Sequence, residues 1–149
     1  MKIKFRNGIV NIATATSSDC RYCYTLSNRT ILTYSNQPQT IEKYSGEFRP
    51  ENTHIIYYKG KRFGFYEYKI KNEDMYIYSI QLSKILQGRG LGTSILNHIE
   101  TEGRKKKCKK LLLRVYSKNP AVRLYERFGF KITEKFPKIA RVQMEKKLI

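Results

Sequence analysis

The sequence contains no tryptophan, four prolines, three cysteines and only 12 acidic residues against 30 basic ones among its 149 residues. It also has no run of about 18 apolar residues, the length that a membrane-spanning helix requires. No apolar block follows the basic N-terminus, and a secretory signal needs one. We therefore expect a cytoplasmic protein with no membrane partner. The hydrophobic share of 40% is typical of a globular chain.

The three cysteines do not form a recognisable set of metal ligands. Cys20 and Cys23 make a Cys-x-x-Cys pair, and Cys108 is distant in sequence. A structural zinc site usually needs four ligands, and His54 and His98 are not spaced to complete one. We expect no metal and cysteines that stay reduced.

The shortage of acidic residues gives a net charge of +18. Most of the excess lies in residues 81–149, and its densest run is residues 104–110. A chain this basic favours anionic ligands, because they are attracted over long distances and binding releases counterions. RNA or an acidic protein is therefore a possible partner of the basic C-terminal half. The run could equally be a solvated surface, and both a monomer and a homodimer stay open.

The first half of the chain predicts strands more clearly than helices. We expect a strand at residues 9–13, a helix over residues 20–26 after Asp19, and a short helix over residues 40–44 with Pro38 near its first position. Three further segments alternate or cluster aromatic and β-branched residues between tight turns. They predict an antiparallel meander of residues 55–58, 62–70 and 75–82.

Glycines at alternate positions follow the last strand of this meander, in the run Gln87, Gly88, Arg89, Gly90, Leu91 and Gly92. A helix over residues 93–107 and an apolar strand at residues 111–116 come next. A strand, a helix and a strand predict a parallel crossover, and ligands bind beyond the carboxyl ends of such strands. Unpaired N–H groups at the start of the helix would bind phosphate there, although an ordinary glycine-rich turn is the alternative.

Residues 119–130 predict a short helix with both ends specified. Asn119 is a good N-cap, Pro120 suits the first turn, and Gly129 suits the left-handed position after the helix. Two closing strands are expected at residues 130–136 and 141–148. We expect a single domain over residues 1–149.

Two of these segments resemble the motifs of GNAT-type N-acetyltransferases. The acyl-CoA loop of that family has the form Gln/Arg-x-x-Gly-x-Gly/Ala, which residues 87–92 match. A later family segment carries Asn, a small residue, Tyr and Gly-Phe, which residues 119–130 match. The resemblance implies an α/β fold with a mixed, mostly antiparallel sheet of six or seven strands and about four helices. It also implies that the family's fourth and fifth strands run parallel and splay apart around acetyl-CoA.

The resemblance further implies a set of residues that bind acetyl-CoA. The N–H groups of the glycine loop would hold the pyrophosphate, the strand before it would pair with the pantetheine arm, and one of its amides would polarise the thioester. Asn119 would contact the arm or cap its helix. The implied cofactor-binding residues are Ile80, Gln81, Leu82, Gln87, Gly88, Arg89, Gly90, Leu91, Gly92, Thr93, Asn119 and Tyr125.

Amine acetylation needs a proton donor for the leaving thiolate, and Tyr125 is the candidate general acid. The general base is less clear, because many family members carry a glutamate on the fourth strand where this sequence has Tyr78 or its neighbour Tyr76. Glu73 lies at the start of that strand. Glu67, on the preceding strand, or a chain of water molecules is the alternative.

The sequence leaves the identity of the acceptor amine open. A protein N-terminus or lysine, a small amine and an aminoacyl-tRNA are all compatible, although the basic charge disfavours cationic small amines. A protein that binds acyl-CoA or nucleic acid without catalysis is the alternative to an enzyme.

Overall fold

Eight strands form one mixed sheet in the computed structural model, which describes residues 1–35 and 37–149. The strands are β1 (Lys2–Phe5), β2 (Gly8–Thr14), β3 (Thr53–Tyr58), β4 (Lys61–Lys71), β5 (Asp74–Leu82), β6 (Lys110–Tyr116), β7 (Lys131–Phe136) and β8 (Arg141–Lys147). The α-helices in these residues are α1 (Cys20–Tyr34), α2 (Ile41–Glu47), α3 (Leu91–Lys105) and α4 (Ala121–Phe128). None of the helices in the described ranges is long and apolar enough to cross a lipid bilayer.

The strand order is β1-β2-β3-β4-β5-β6-β8-β7. Strands β5 and β6 are parallel, and each of the other neighbouring pairs is antiparallel. Helix α3 connects the parallel pair, as parallel strands require a crossover connection. The predicted mixed sheet with one parallel pair is confirmed.

The N-terminal hairpin was not predicted. The sequence indicated one strand at residues 9–13, whereas β1 and β2 form a hairpin and raise the number of strands to eight. Residues 2–5 alternate lysine with an apolar residue, and the structure buries Ile3 and Phe5 of this short strand. Their burial depends on packing against α3, which sequence alone does not reveal.

The helices between β2 and β3 differ from the prediction in their boundaries. Helix α1 continues to Tyr34, well past residue 26, and it buries Cys23 and Leu26. Helix α2 begins after Thr40, whose side-chain oxygen accepts a 3.2 Å hydrogen bond from the Lys43 N–H. Pro38 therefore lies before the helix and not in its first turn, because the threonine provides the N-cap.

The two faces of the sheet are covered differently. On one face, α3 and α4 pack on the main core, which includes Leu111, Leu113 and Val115 of β6. On the other face, α1 packs on Ile55 and Phe65 of β3 and β4 in a smaller core. Successive side chains of a strand point to opposite faces. The remaining residues of β6 therefore face the same side as α1. The candidate site is lined from both faces, because α1 and α4 both contribute residues to it.

Candidate active site

Strands β5 and β6 separate after a short parallel ladder. Their register runs from Asp74 opposite Lys110 to Ile77 opposite Leu113. Strand β5 then continues to Leu82, so in the described part of the chain residues 78–82 have no partner strand on the β6 side. The Leu82 carbonyl oxygen accepts a 2.9 Å hydrogen bond from Nε2 of Gln87. The other backbone groups on the open side of this edge are available to an extended ligand, which could bind as an added strand. The family's fourth and fifth strands correspond to β5 and β6 of this structure. The splay between them that the family resemblance implies is confirmed.

The glycine loop ends at the open end of this splay. Gly88 and Gly90 have φ angles of 73° and 80°, which place both in the left-handed region that favours glycine. The Ser94 N–H makes the first helical hydrogen bond of α3, to the carbonyl oxygen of Gly90 at 3.1 Å. The N–H groups of residues 91–93 therefore lie ahead of the helical ladder, at the positive end of the helix dipole. Such an arrangement binds anions.

A cavity of about 740 Å³ lies between the loop, β5, α1 and α4. Four basic side chains line it, and no aspartate or glutamate of the described residues does. The basic residues are Arg6, Arg29, Lys84 and Arg127. We call this the loop cavity. Its electrostatic potential favours a ligand with several negative charges.

Most of the predicted cofactor-binding residues line the loop cavity. Those that do are Ile80, Gln81, Leu82, Gln87, Gly88, Gly90, Gly92, Thr93, Asn119 and Tyr125. Arg89 and Leu91 do not, and the Leu91 side chain is buried in the main core. Sequence reasoning missed the arginines, since Arg6 and Arg29 come from distant segments and only the fold brings them to the loop.

A second cavity, of about 210 Å³, adjoins the first. We call it the sheet cavity. Five residues line both cavities, namely Thr30, Ile80, Gln81, Asn119 and Tyr125. The Thr30 hydroxyl donates a 2.7 Å hydrogen bond to Oε1 of Gln81, which ties α1 to the splayed part of β5. The two cavities therefore meet along a common wall.

Tyr125 lies in this common wall, on α4. Only 8% of its surface is exposed, and its ring packs edge-on against Phe130 at 5.8 Å. Burial raises the pKa of Tyr125 to about 12, because the charged phenolate is poorly solvated there. The hydroxyl therefore keeps its proton at neutral pH.

Asn119 holds the start of the helix that carries Tyr125. Its Oδ1 accepts a 2.9 Å hydrogen bond from the Ala121 N–H, and its carbonyl oxygen accepts one from Val122. Gly129 ends the helix with a φ of 109°. The hydrogen bond expected from Asn119 at the start of this helix and the left-handed Gly129 at its end are confirmed, although α4 itself begins at Ala121, after Pro120.

Glu67 lines the sheet cavity from β4. A β-bulge between Glu67 and Tyr68 shifts the register with β5, and Glu67 lies opposite Ser79. Burial raises the pKa of the Glu67 carboxyl to about 7, despite a smaller opposing effect of the Arg49 charge. Glu67 is therefore a carboxyl group that changes its protonation near neutral pH.

Tyr78 and Glu73, which were also considered for the base, lie in different surroundings. Tyr78 lines the sheet cavity but is 55% exposed, and its ring stacks on Tyr76. Glu73 is in the turn before β5, with a φ of 73°, and pairs with Nζ of Lys109 at 2.8 Å. That turn is at the end of β5 opposite to the glycine loop, and Glu73 lines neither cavity. The expectation that Glu73 is the base is therefore corrected, because Glu73 lies at one end of β5 and the site lies at the other.

The densest basic run also lies away from the cavities. Residues 104 and 105 end α3 and residues 106 and 107 follow it, whereas the glycine loop leads into its N-terminal end. A helix of 15 residues is about 22 Å long. Nε of Arg104 pairs with Glu100 at 3.1 Å, and Nζ of Lys105 with Glu102 at 3.8 Å. These pairs, and positive charge at a helix C-terminus, stabilise α3.

The model of the acetyltransferase (GNAT) family matches residues 20–130. The match covers both motif segments and both splayed strands, β5 and β6. This chain belongs to the GNAT acetyltransferase family.

A curated relative agrees with this assignment. A probable spermine N(1)-acetyltransferase of Bacillus subtilis subsp. natto is 34% identical over 85 residues, which are 50% of this chain and 56% of that protein. The match thus spans little more than half the length of this curated relative.

Solved structures resemble almost the whole chain. The PaiA N-acetyltransferase of Thermoplasma acidophilum, in complex with coenzyme A, has a TM-score of 0.73 at 19% identity, covering 93% of this chain and 98% of that one. The ribosomal-protein-S18-alanine N-acetyltransferase of Escherichia coli has a TM-score of 0.72 at 19% identity, covering 93% and 94%. At these identities the likeness shows the fold alone.

Proposed function

We propose that the protein transfers the acetyl group of acetyl-CoA to a primary amine by direct attack in a ternary complex. The observation that carries this proposal is that Glu67 and Tyr125 line one cavity, which shares a wall with the cavity of the glycine loop. A carboxyl that can accept a proton and a hydroxyl that can give one thus lie at the junction of two binding spaces.

The loop cavity fits acetyl-CoA in chemistry and in shape. The N–H groups of residues 87–93 would bind the pyrophosphate, and the four basic residues of the cavity would add positive charge near the phosphates. The unpaired edge of β5 at Ile80 and Leu82 would bind the pantetheine arm by backbone hydrogen bonds, with Asn119 beside it. Acetyl-CoA supplies an acetyl group that is activated as a thioester.

Glu67 is the proposed general base, in place of Tyr78 and Glu73. A primary amine is mostly protonated at neutral pH, so it must lose a proton before it can attack. A base is most effective when its pKa is near the working pH, and the pKa of Glu67 is about 7. Glu67 would accept this proton directly or through a water molecule.

The amide near Gln81 or Leu82 would donate a hydrogen bond to the thioester carbonyl oxygen, where negative charge develops. Tyr125 would then donate its proton to the departing sulfur. A C–N bond forms and the C–S bond breaks, and the Tyr125 proton goes to the thiolate. The nitrogen loses two protons: one passes to Glu67 before the attack and from there to solvent, and the second leaves for solvent after the C–N bond has formed. Tyr125 regains a proton from solvent, so the products are an amide and free CoA.

The similar proteins are named for different acceptors, one for spermine and one for the alanine of ribosomal protein S18. A protein N-terminus or lysine, a small amine and an aminoacyl-tRNA are therefore all acceptors to test. The test is to incubate the purified protein with acetyl-CoA and a panel of peptides, polyamines, aminoglycosides and aminoacyl-tRNA. Free thiol is measured, and the acetylated acceptor is identified by mass.

We expect acceptor-dependent thiol release with at least one class. Acetyl-CoA that binds but is not consumed with any class would contradict catalysis. That result would instead support a protein that binds acyl-CoA without transferring its acetyl group.

A further inference from the structure

Two arginines on neighbouring strands face the sheet cavity. Arg114 is on β6 and Arg141 is on β8, and both line the cavity together with Tyr116. In the antiparallel register Tyr116 lies opposite Arg141, and Arg114 lies opposite Gln143. The alternation of β6 places Arg114 and Tyr116 on one face, because Leu113 and Val115 point into the main core.

Both guanidinium groups are held in place by uncharged neighbours. Cζ of Arg114 lies 4.5 Å from the centre of the Phe136 ring, and its Nε donates a 3.3 Å hydrogen bond to Oε1 of Gln143. Cζ of Arg141 lies 4.6 Å from the Tyr116 ring, and its Nη2 donates a 2.9 Å hydrogen bond to the Tyr116 hydroxyl. Neither guanidinium forms a salt bridge with a carboxylate of the described residues, so both keep donors for a ligand.

The glutamates on the strands that carry or adjoin these arginines either pair with other groups or lie outside the cavity. Glu145, on the same strand as Arg141, pairs with Nζ of Lys110 at 2.9 Å and accepts hydrogen bonds from Thr133 and Gln143. Glu134 lies opposite Gln143 on β7, but it is exposed and does not line the cavity. Glu67 is the carboxyl group that lines the cavity with the two arginines. Among the described residues, the lining of this small cavity thus carries two positive charges and one carboxyl group.

We infer that the amine accepted at this site carries an acidic side chain close to the reacting nitrogen, and that Arg114 and Arg141 bind the carboxylate of that side chain. The inference rests on the proposed function. Arginine suits this task because its fork of N–H groups matches a carboxylate. A cavity of about 210 Å³ is smaller than the roughly 300–1,000 Å³ of drug-sized ligand sites. It therefore suits one amino-acid-sized group, either a free acidic amino acid or the acidic first residue of a peptide.

The same arrangement opposes a polyamine. A second ammonium group in the cavity would lie near two guanidinium groups, and these like charges repel, although solvent partly screens the charge of the exposed Arg114. Glu67 cannot compensate fully, because it has to accept the proton of the reacting amine. The acceptor of this protein is thus expected to differ from the one in the name of its spermine-acetylating relative.

The test compares matched acceptors with the purified full chain and acetyl-CoA. The acceptors are free glutamate and aspartate, their side-chain amides glutamine and asparagine, short peptides that begin with each of these four residues, and spermine. We expect kcat/KM to be at least about tenfold higher for the carboxylates than for the matched amides, since a charge-assisted hydrogen bond is lost with the amide. The two arms, free amino acids and peptides, show which source of carboxylate the cavity admits.

Variants assign the preference to the two arginines. Arg114→Gln and Arg141→Gln should each lower kcat/KM for the carboxylate acceptors about tenfold and leave the matched amides nearly unchanged. Arg123→Gln is the control, because Arg123 is exposed on α4 and lines neither cavity. Arg114→Glu, at an exposed position, should shift the preference toward spermine even if Arg141→Gln does not fold.

Equal kcat/KM for carboxylates and amides, or spermine preferred with no effect of Arg114→Gln, would overturn this inference and leave the acetyltransferase proposal intact. Failure of every acceptor, including those of the wider panel, would instead contradict the proposed function itself.

Discussion

Glu67 on β4 and Tyr125 on α4 line the same cavity of about 210 Å³, and burial raises the pKa of both. The pKa of Glu67 is about 7 and that of Tyr125 about 12. Between these values the carboxyl is ionised and the hydroxyl keeps its proton. This is the protonation state that a base and an acid need for the proposed reaction, and it exists over a wide range above neutral pH.

Replacing the proposed base should change how the rate depends on pH. For the wild-type protein, kcat/KM should rise as pH increases through about 7, because Glu67 loses its proton there. Glu67→Gln should lower kcat/KM about 100-fold or more at pH 8, within the usual contribution of a general base. The pH profile of the variant should also lack the ionisation near pH 7 and show only the ionisation of the acceptor amine. Glu47→Gln, exposed on α2, is the control. An unchanged profile in Glu67→Gln would exclude Glu67 as the base.

Replacing the proposed acid should separate catalysis from binding. Tyr125→Phe keeps the buried ring and its contact with Phe130 but removes the proton that would go to the sulfur. We expect kcat to fall roughly 10- to 100-fold. The affinity for acetyl-CoA, measured by calorimetry, should change less than about twofold. Equal turnover in the variant and the wild type would mean that Tyr125 only packs in the core.

Glu67 should also affect stability. A carboxyl whose pKa is raised from 4.5 to about 7 on folding contributes stability that is fully present below about pH 4.5 and is lost as pH rises through about 7. Glu67→Gln removes this dependence. The Tm of the variant relative to the wild type should therefore increase between pH 5 and pH 8 in thermal denaturation. A constant difference in Tm would show that Glu67 has an ordinary pKa.

The glycine loop offers a pair of matched substitutions. Gly90 and Gly60 both have a φ of 80°, and at both an added Cβ would meet no atom within 4 Å. Alanine at either position should therefore cost a similar 1–2 kcal/mol, roughly, through its left-handed backbone. Only Gly90→Ala should weaken acetyl-CoA binding, by about tenfold, since Gly60 lies in the β3–β4 turn. Equal affinities in the two variants would place the phosphates elsewhere.

The basic run after α3 should not affect cofactor binding. The combined change of Lys105, Lys106 and Lys107 to Glu alters charges about 22 Å from the loop. At 0.15 M salt the Debye length is about 8 Å, so the effect on the loop cavity is mostly screened. We expect acetyl-CoA affinity to change less than about twofold. If an RNA acceptor docks on this run, tRNA binding should fall strongly in the same variant, whereas a tenfold loss of acetyl-CoA affinity would contradict the screening argument.

The parts of the site that could be predicted from the sequence are those that depend on interactions within a short segment. The left-handed glycines before α3 and the caps of α4 at Asn119 and Gly129 depend on backbone preferences within a few residues. The alternation of β3, β4 and β5 is similarly local. These features were recognisable because the conformation and the residue type constrain each other over a short segment.

The remaining parts depend on contacts that no short segment contains. The pKa of Glu67 follows from its burial, and Arg114 meets Arg141 only through the pairing of β6 with β8. Arg6 reaches the loop cavity because a hairpin of two short strands packs beside α3. Its lysine-rich first strand has weak strand propensity, so the hairpin was not predicted.

The wall that the two cavities share has a consequence for the order of events. Thr30 and Gln81 are joined by a hydrogen bond and contribute to both spaces, as do Ile80, Asn119 and Tyr125. Acetyl-CoA bound along this wall would therefore complete the binding site of the acceptor amine. Thermodynamic linkage makes such an influence mutual, so each substrate should tighten the binding of the other by the same factor. The protein is then expected to load its two substrates as a cooperative pair.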